Sequence, residues 1–506
     1  MSASQDSHPS GASQETASKA SSGRPVFRTN TIVDGVLRYP PTGISAVIVG
    51  GGIAGLWAAL ECWRKGHEVV VLEKSPKMSA SGDVVSIGPS GWSTLANYPL
   101  MLQEWNSVAH DAHWLLCVED GRPLTAPFDF EYNREGVAQH ASFPLFNKSI
   151  IRRSQLLQLL VNQCKRIGIP IHHGVSITSY EENDALNTAT AISDDYRRFS
   201  GDVVIAADGV GTKSHAAVLG YSTKSYNTGF IIYRAVVPTD RLLHHSVVRQ
   251  VVEKDMSPQV RLYMGGPDGR HHAVTILPDV VTFATSILDD GTTVEPLSSR
   301  VTGAYVLSRM KSPEKVDPFI VDGFKALASE DTVGQWLLTM CNPQPKWTSS
   351  SGRIVQVGDS AHSFLPSSAN GANIAIESSI TIAECLRIGP FSAFAPLRLI
   401  ICSSRRYQRV SIIQQTGLNN RQQVLAHPTE DLMRQGKWLW GHKPEIYARE
   451  KFAEAKAHIE NGAPFDNTNL PTGHIPQEWT VEEEIAKERS GIFKQDLKSN
   501  GDWGLV

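Results

Sequence analysis

The stretch ISAVIVGGGIAGLWAALECWRKGHEVVVLEKS, Ile44 to Ser75, decides how the rest of the chain is read. Its apolar run Val47-Ile48-Val49 reads as a buried parallel strand. Gly50-Gly51-Gly52-Ile53-Ala54-Gly55 follows, fitting G-x-G-x-x-G, and a helical stretch then runs to Lys65. A second strand, Glu68 to Leu72, delivers Glu73 at its carboxyl end, 18 positions after Gly55. Gly50 permits a tight turn, Gly52 lets backbone N–H groups approach a pyrophosphate, and Gly55 lets helix and strand pack closely. The helix N-terminus faces that anion with its free N–H groups and positive dipole end. Glu73 is placed to accept hydrogen bonds from a ribose diol. Strand, glycine turn, helix, strand and acid together point to a dinucleotide site. A membrane anchor is the competing reading of the uncharged run Ile44 to Leu60. That run is short for a bilayer, and its glycines sit at the fingerprint spacing.

The 506 residues can hold two or three compact units. A hydrophobic content of 41% and a charged content of 20% describe an ordinary soluble globular protein without a membrane span. A net charge of −3 gives no whole-protein field for nucleic acid or an anionic membrane. Six cysteines, at 62, 117, 164, 341, 385 and 402, form no C-x-x-C pair. The pattern is that of a reduced, cytoplasmic protein, with neither a disulfide framework nor a zinc site. His172-His173, His244-His245 and His271-His272 have no partner at metal-ligand spacing, so no metal is expected.

Residues 1–42 form a leader, its first part rich in Ser, Ala and Gln and expected to be disordered. It has no apolar core of a signal peptide. Residues 43–220 form the first part of the nucleotide-binding domain. Within it, His113 to Phe130 has strand character, with a turn at Asp120-Gly121 or Arg122-Pro123. Ser149 to Lys165 has helical spacing and begins with Arg152-Arg153. Arginines there oppose the helix dipole, so either a bound anion or an ordinary surface pair explains them. Ile169 to Thr178 and Ala189 to Ser193 read as a small β-meander, and Val203 to Ala207 as a buried strand ending in Asp208-Gly209.

Residues 221–345 read as a separate, largely antiparallel sheet, with β-rich runs FIIYRAVVP, VVRQVVE, QVRLYMGGPDGRHHAVTILP and VVTFATSIL. Gly265 to Gly269 is a hairpin turn, and helical patterns resume near Ser299 to Ala328. Residues 346–390 return to the nucleotide domain through the strand Ile354 to Val357, Gly358-Asp359, a small-residue loop and a helix from Gly371 to Leu386. Residues 391–506 are helical and loop-rich, and Arg405, Arg406 and Arg409 belong to their first helix. The fold class is α/β (mixed α+β): a Rossmann-like domain of discontinuous segments, an inserted antiparallel sheet and a C-terminal helical region.

Three motifs in this order resemble the flavin-dependent aromatic hydroxylases, the family of p-hydroxybenzoate and salicylate hydroxylases. They are the fingerprint at 50–55 with Glu73, Ala207-Asp208-Gly209 with Thr212, and Gly358-Asp359-Ser360-Ala361-His362 through Pro366. Ser81-Gly82-Asp83 and Arg153 lie between them, so the likeness covers about residues 44–390. PTGHIPQEWT near the end looks most like fungal biosynthetic members.

The resemblance implies bound FAD. Gly50, Gly52 and Gly55 would hold the pyrophosphate and Glu73 the adenosine ribose, with Gly82 also in the cofactor set. Arg153 would lie along the ribose and pyrophosphate, and Asp359 would bond the ribityl chain. The helix starting at Gly371-Ala372 would aim its N–H groups at the flavin pyrimidine edge, where reduced flavin carries negative charge. Asp208 and Gly209 would bear on both FAD and NADPH or NADH, so no second Rossmann unit is expected. The implied chemistry is NAD(P)H reduction of FAD, O2 addition at flavin C4a, and transfer of an OH equivalent from the hydroperoxide to a small aromatic or polyketide-like metabolite.

Arg234 sits where the resemblance places an arginine that can hold a phenolate or acidify the site, for which a permanent, bidentate cation is suited. A strand-surface ion pair is the plain alternative. Tyr263 is a candidate cavity wall, and Pro366 shapes the oxygen pocket or simply forms a turn. The chain departs from the pattern at Ala369-Asn370, Glu377-Ser378, Leu277 and His215. An alanine can replace the usual glycine at 369 only with negative φ. The alternatives are a flavin dehydrogenase or oxidase on the same scaffold, or a flavin-binding protein without turnover. The chain is expected to be a monomer or homodimer.

Overall fold

The computed structural model describes residues 29–77, 83–134, 137, 148–253, 257–266, 269–291, 299–388, 406–420, 434–490 and 497–505. Ser81, Gly82, Arg405, Cys402 and the expected disordered leader through residue 28 lie outside the described residues.

Ser45–Val49 pairs in parallel with Glu68–Glu73 on one side and Val203–Ala206 on the other. Ile171–His173 and Ile354–Gln356 complete a five-stranded sheet of order 354–356, 203–206, 45–49, 68–73, 171–173. Both faces are covered, which is why these strands carry unbroken apolar runs and not an alternating pattern. Ala46, Ile48, Val71, Val203 and Ile205 face a helical layer. Val47, Val49, Leu72, Val204 and Ala206 face the antiparallel meander Ile177–Asn183, Thr188–Ser193 and Arg198–Gly201.

The helical layer is Ile53–Arg64, Arg153–Arg166 and Gly371–Arg387. Trp57, Leu60, Ile376 and Ile380 are fully buried between them, each such side chain contributing roughly 1.5–3 kcal/mol. The polar end of the layer is also closed. Lys65 Nζ lies 2.5 Å from Glu384 and 2.7 Å from Glu445, tying the first helix to Gly371–Arg387 and to the C-terminal helix Pro444–Asn461.

The second sheet has seven strands in the order Arg300–Val301, Val333–Cys341, Ser225–Pro238, Val280–Leu288, His271–Ile276, Gln259–Met264, His113–Val118. All neighbours are antiparallel except the last pair. One face carries Tyr233, Val237, Val274, Ile276 and Phe283 against the helices Ser246–Glu253, Gly303–Arg309 and Pro318–Lys325. The other face looks toward the parallel sheet's carboxyl ends.

Three elements differ from the sequence reading. VVRQVVE is not a strand but the helix Ser246–Glu253. Its paired valines fit either period, and burial of Val248 and Val251, three apart, selects the helix. Ile171–His173 does not belong to the meander; it is the edge strand of the parallel sheet beside Glu68–Glu73. His113–Val118, within the range assigned to the nucleotide domain, crosses to pair with Gln259–Met264.

Candidate active site

The carboxyl ends of the parallel strands and the open face of the seven-stranded sheet enclose a cavity of about 860 Å³. Parallel α/β sheets bind ligands at that end. Gly50, Gly52, Glu73, Arg153, Asp208, Gly209, Asp359, Pro366, Gly371, Ala372 and Arg234 all line it. Segments as distant in sequence as Glu73 and Asp359 therefore share one site.

The three fingerprint glycines serve different steric needs. Gly50 has φ +109°, and a Cβ there would meet the Ala207 carbonyl oxygen at 2.2 Å. Gly55 lies behind the cavity wall, where a Cβ would stand 1.9 Å from the Gly50 carbonyl oxygen. Gly52 precedes the helix and has nothing within 4 Å of its missing Cβ, so the cavity reaches the helix N-terminus directly. Glu73 braces the turn: its carboxylate accepts N–H bonds from Gly51 at 2.6 Å and Ser75 at 2.8 Å.

Arg152 and Arg153 have separate fates. Arg152 donates to Asp279 at 2.7 Å, the surface pair, whereas Arg153 lines the cavity at the head of its helix. Asp208 accepts the Tyr180 hydroxyl at 2.7 Å through Oδ2, while its buried Oδ1 has no hydrogen-bond partner among the described residues. Asp359 is exposed to the cavity. The protein mass around it pushes its carboxyl up to about 6, against the opposing pull of Arg153.

Pro366 begins the short 3₁₀ turn Pro366–Ser368, and Gly371 begins the seventeen-residue helix whose first turn lines the cavity. No side chain caps that helix at Asn370. Its orphan N–H groups and positive end are available to an anionic ligand edge. Ala369 has φ +52°, contrary to the negative φ expected of an alanine there. The 366–368 turn needs a left-handed residue to enter the helix, and this chain places a strained alanine in that role. Asn373 locks the helix to the opposite loop, accepting from Gly88 at 3.2 Å and Gly91 at 2.9 Å.

Arg234 faces the cavity from Ser225–Pro238, donates to Asp83 at 2.9 Å, and lies 4.6 Å over the Trp336 ring. Tyr263 borders the cavity along its strand, while the bulk of its side chain points away from it. Its ring belongs to the helix-packed core on the far face, its hydroxyl is buried, and burial raises it well above the ordinary phenol range. Strand alternation turns the side chains of Val260, Leu262 and Met264 to the cavity beside it. With Ile232, Ala273 and Ala284, these are the wall residues the sequence reading missed. The i, i+2 step from Arg234 would have found Ile232.

Three of the departures from the motif pattern, Glu377, Ser378 and His215, sit in side-chain hydrogen bonds. Glu377 is fully buried and accepts from Arg406 at 2.9 Å and from Arg409 at 3.0 and 2.9 Å. His362 lies 3.1 Å from Ser378 Oγ; burial and then Arg406 lower it to about 3, so it is a neutral network member. His215 bonds Thr223 at 3.2 Å. Away from the cavity, His245 and His244 lie 3.2 and 3.8 Å from Asp322, a donor that histidine spacing along the chain could not reveal. The same aspartate accepts Lys325 Nζ at 2.9 Å.

The donor set fits FAD. An open glycine turn, an uncapped helix end, an orphaned carboxylate oxygen on Asp208 and a cavity-facing Asp359 lie along one elongated space. Among the described residues, no helix is long and apolar enough to cross a membrane.

Residues 45–147 match the family described as FAD dependent oxidoreductase. The chain is 32% identical to the FAD-dependent monooxygenase fsr3 of Gibberella fujikuroi, over 92% of this chain and 91% of that one. It is 34% identical to the FAD-dependent monooxygenase mdpD of Emericella nidulans, again over 92% and 91%. Among solved structures, CtdE in complex with FAD and its substrate 4 superposes with a TM-score of 0.71 at 25% identity, covering 83% of this chain and 100% of that one. Fingerprint, cavity and relatives agree, and the chain belongs to the FAD-dependent monooxygenases.

Proposed function

We propose that this monooxygenase uses NADPH or NADH and O2 to hydroxylate or epoxidise a small aromatic or polyketide-like metabolite, in fungal secondary metabolism. The observation that carries the reading is the single cavity shared by the nucleotide motifs and the open face of the seven-stranded sheet. FAD, when bound, supplies the redox chemistry, accepting reducing equivalents from the nicotinamide and activating O2.

The chain's own residues bind, orient and exclude water. Gly50 and Gly52 admit the pyrophosphate to the helix N-terminus, and Gly55 keeps that helix against its strand. Glu73 has its second lone pairs free for the adenosine ribose, Arg153 offers a cation along the pyrophosphate, and Asp359 takes the ribityl hydroxyls. Asp208 and Gly209 border the space that FAD or the nicotinamide would occupy. The N–H groups of Gly371 and Ala372 favour negative charge at the flavin pyrimidine edge. Pro366 shapes the oxygen side, and Arg234 orients the substrate oxygen.

The test is NAD(P)H oxidation stimulated by a phenol, run under labelled O2. One labelled oxygen in the product supports the reading. Substrate oxidation without nicotinamide, or product free of label, favours the dehydrogenase or oxidase alternative. Arg234→Ala should remain yellow yet lose most turnover; full activity would remove the substrate-orienting role.

A further inference from the structure

The charge state of the substrate can be read from Arg234 and its neighbour, on the assumption that the monooxygenase reading above is right. Among the described residues of the seven-stranded sheet that line the cavity, Arg234 is the one permanently charged side chain. It is not an open cation. Its Nη1 donates to Asp83 Oδ1 at 2.9 Å, and the two side chains are only 25% and 10% exposed. The Trp336 ring covers the guanidinium at 4.6 Å. Asp83 is held in turn, because its carbonyl accepts the Arg153 N–H at 2.9 Å, so the pair bridges the flavin-side wall and the substrate sheet. Arg234 Nε is buried without an acceptor among the described residues. On the same face Ile232 and the cross-strand Ala284 are apolar, with the neutral hydroxyls of Thr282 and Ser286 beside Ala284, so no second charge from the neighbouring strand faces the pair.

A carboxylate entering this space would meet an ion pair of zero net charge and be pressed against Asp83, where like charges in a water-poor site repel. A neutral acceptor such as a phenol, quinone or ketone oxygen can use the remaining guanidinium N–H groups without that repulsion. We infer that Asp83 is a specificity-determining residue: by holding Arg234 in a neutral pair, it selects uncharged phenolic or ketonic substrates over carboxylates.

The test uses the FAD-loaded protein and two probes of one shape, 2-naphthamide and 2-naphthoate, titrated against the flavin absorbance. The wild-type protein should bind the amide roughly tenfold more tightly or better, and Asp83→Asn should reverse the order by freeing the arginine charge. Asp83→Glu should restore the wild-type preference, which a merely structural role would not predict. Equal binding, a wild-type preference for naphthoate, or no spectral change with either probe overturns the inference, even if Asp83→Asn fails to retain flavin. A wild-type protein that takes up no flavin fails the monooxygenase reading itself, an outcome distinct from a yellow protein with the wrong preference.

Discussion

Glu73 illustrates how much one side chain does here, since the same carboxylate shapes the glycine turn and faces the nucleotide space. Removing it leaves the Gly51 and Ser75 N–H groups without their charged acceptor, a loss of about 1.5–3 kcal/mol per bond. Glu73→Ala should therefore raise the FAD dissociation constant about tenfold or more, read as lost flavin absorbance after gel filtration. Asp359 carries the opposite tension. Its carboxyl is raised to about 6, so the folded apo protein binds a proton there more tightly than the unfolded chain does. That stabilisation is complete below the ordinary aspartate value near 4 and is lost as pH rises through about 6. Because the side chain is open to the cavity and screened by solvent, Asp359→Asn should raise the apo protein's Tm only slightly at pH 7.5, with the advantage fading toward pH 4, while weakening FAD retention. Ala369 is strained by its φ of +52°. Ala369→Gly should raise Tm slightly, relieving at most about 1–2 kcal/mol less the glycine's greater unfolded-state entropy. An unchanged or lower Tm would contradict that account.

At the scale of elements, the helix Gly371–Arg387 joins cofactor site to scaffold. Its first turn meets the cavity, and its buried Glu377 meets Arg406 and Arg409 on the helix at 406–420. Burial pushes the Glu377 carboxyl up, but Arg409 and Arg406 outweigh it and hold it well below the usual carboxylate range. The pair's stability is present above the unfolded value near 4.3 and is lost as pH falls toward the depressed one. Glu377→Gln leaves two buried arginines undercompensated and should cost about 3–5 kcal/mol. Its urea midpoint should fall at pH 7 and depend less on acid than the wild type's.

Elements with local codes were legible in the sequence. Gly50 to Gly55 declares its turn through glycine alone, and Val203 to Ala206 declares burial on both faces through unbroken apolar character. Partner choice was not local. Nothing in His113–Val118 names Gln259–Met264 as its neighbour, and nothing in Ile171–His173 distinguishes the parallel sheet from the meander. Alternation gave Tyr263 and Leu262 opposite faces without saying which face held the cavity, and only the helices packed on Tyr263 decide it.

For the whole molecule, the account depends on two sheets sharing one space. The parallel sheet supplies the nucleotide motifs, the seven-stranded sheet supplies the wall bearing Arg234, and the helix from Gly371 closes the junction. A ligand bound only by the folded state adds stability as its concentration exceeds the dissociation constant, about 2.7 kcal/mol at a hundredfold excess. The most direct measurement is a crystal structure of the FAD-loaded protein. The account predicts an extended FAD with its adenosine ribose at Glu73, its pyrophosphate at Gly52, and its isoalloxazine between the N-terminus of the Gly371 helix and the sheet face bearing Arg234. Flavin bound elsewhere, or contacting Glu73 without reaching Asp359, would contradict it.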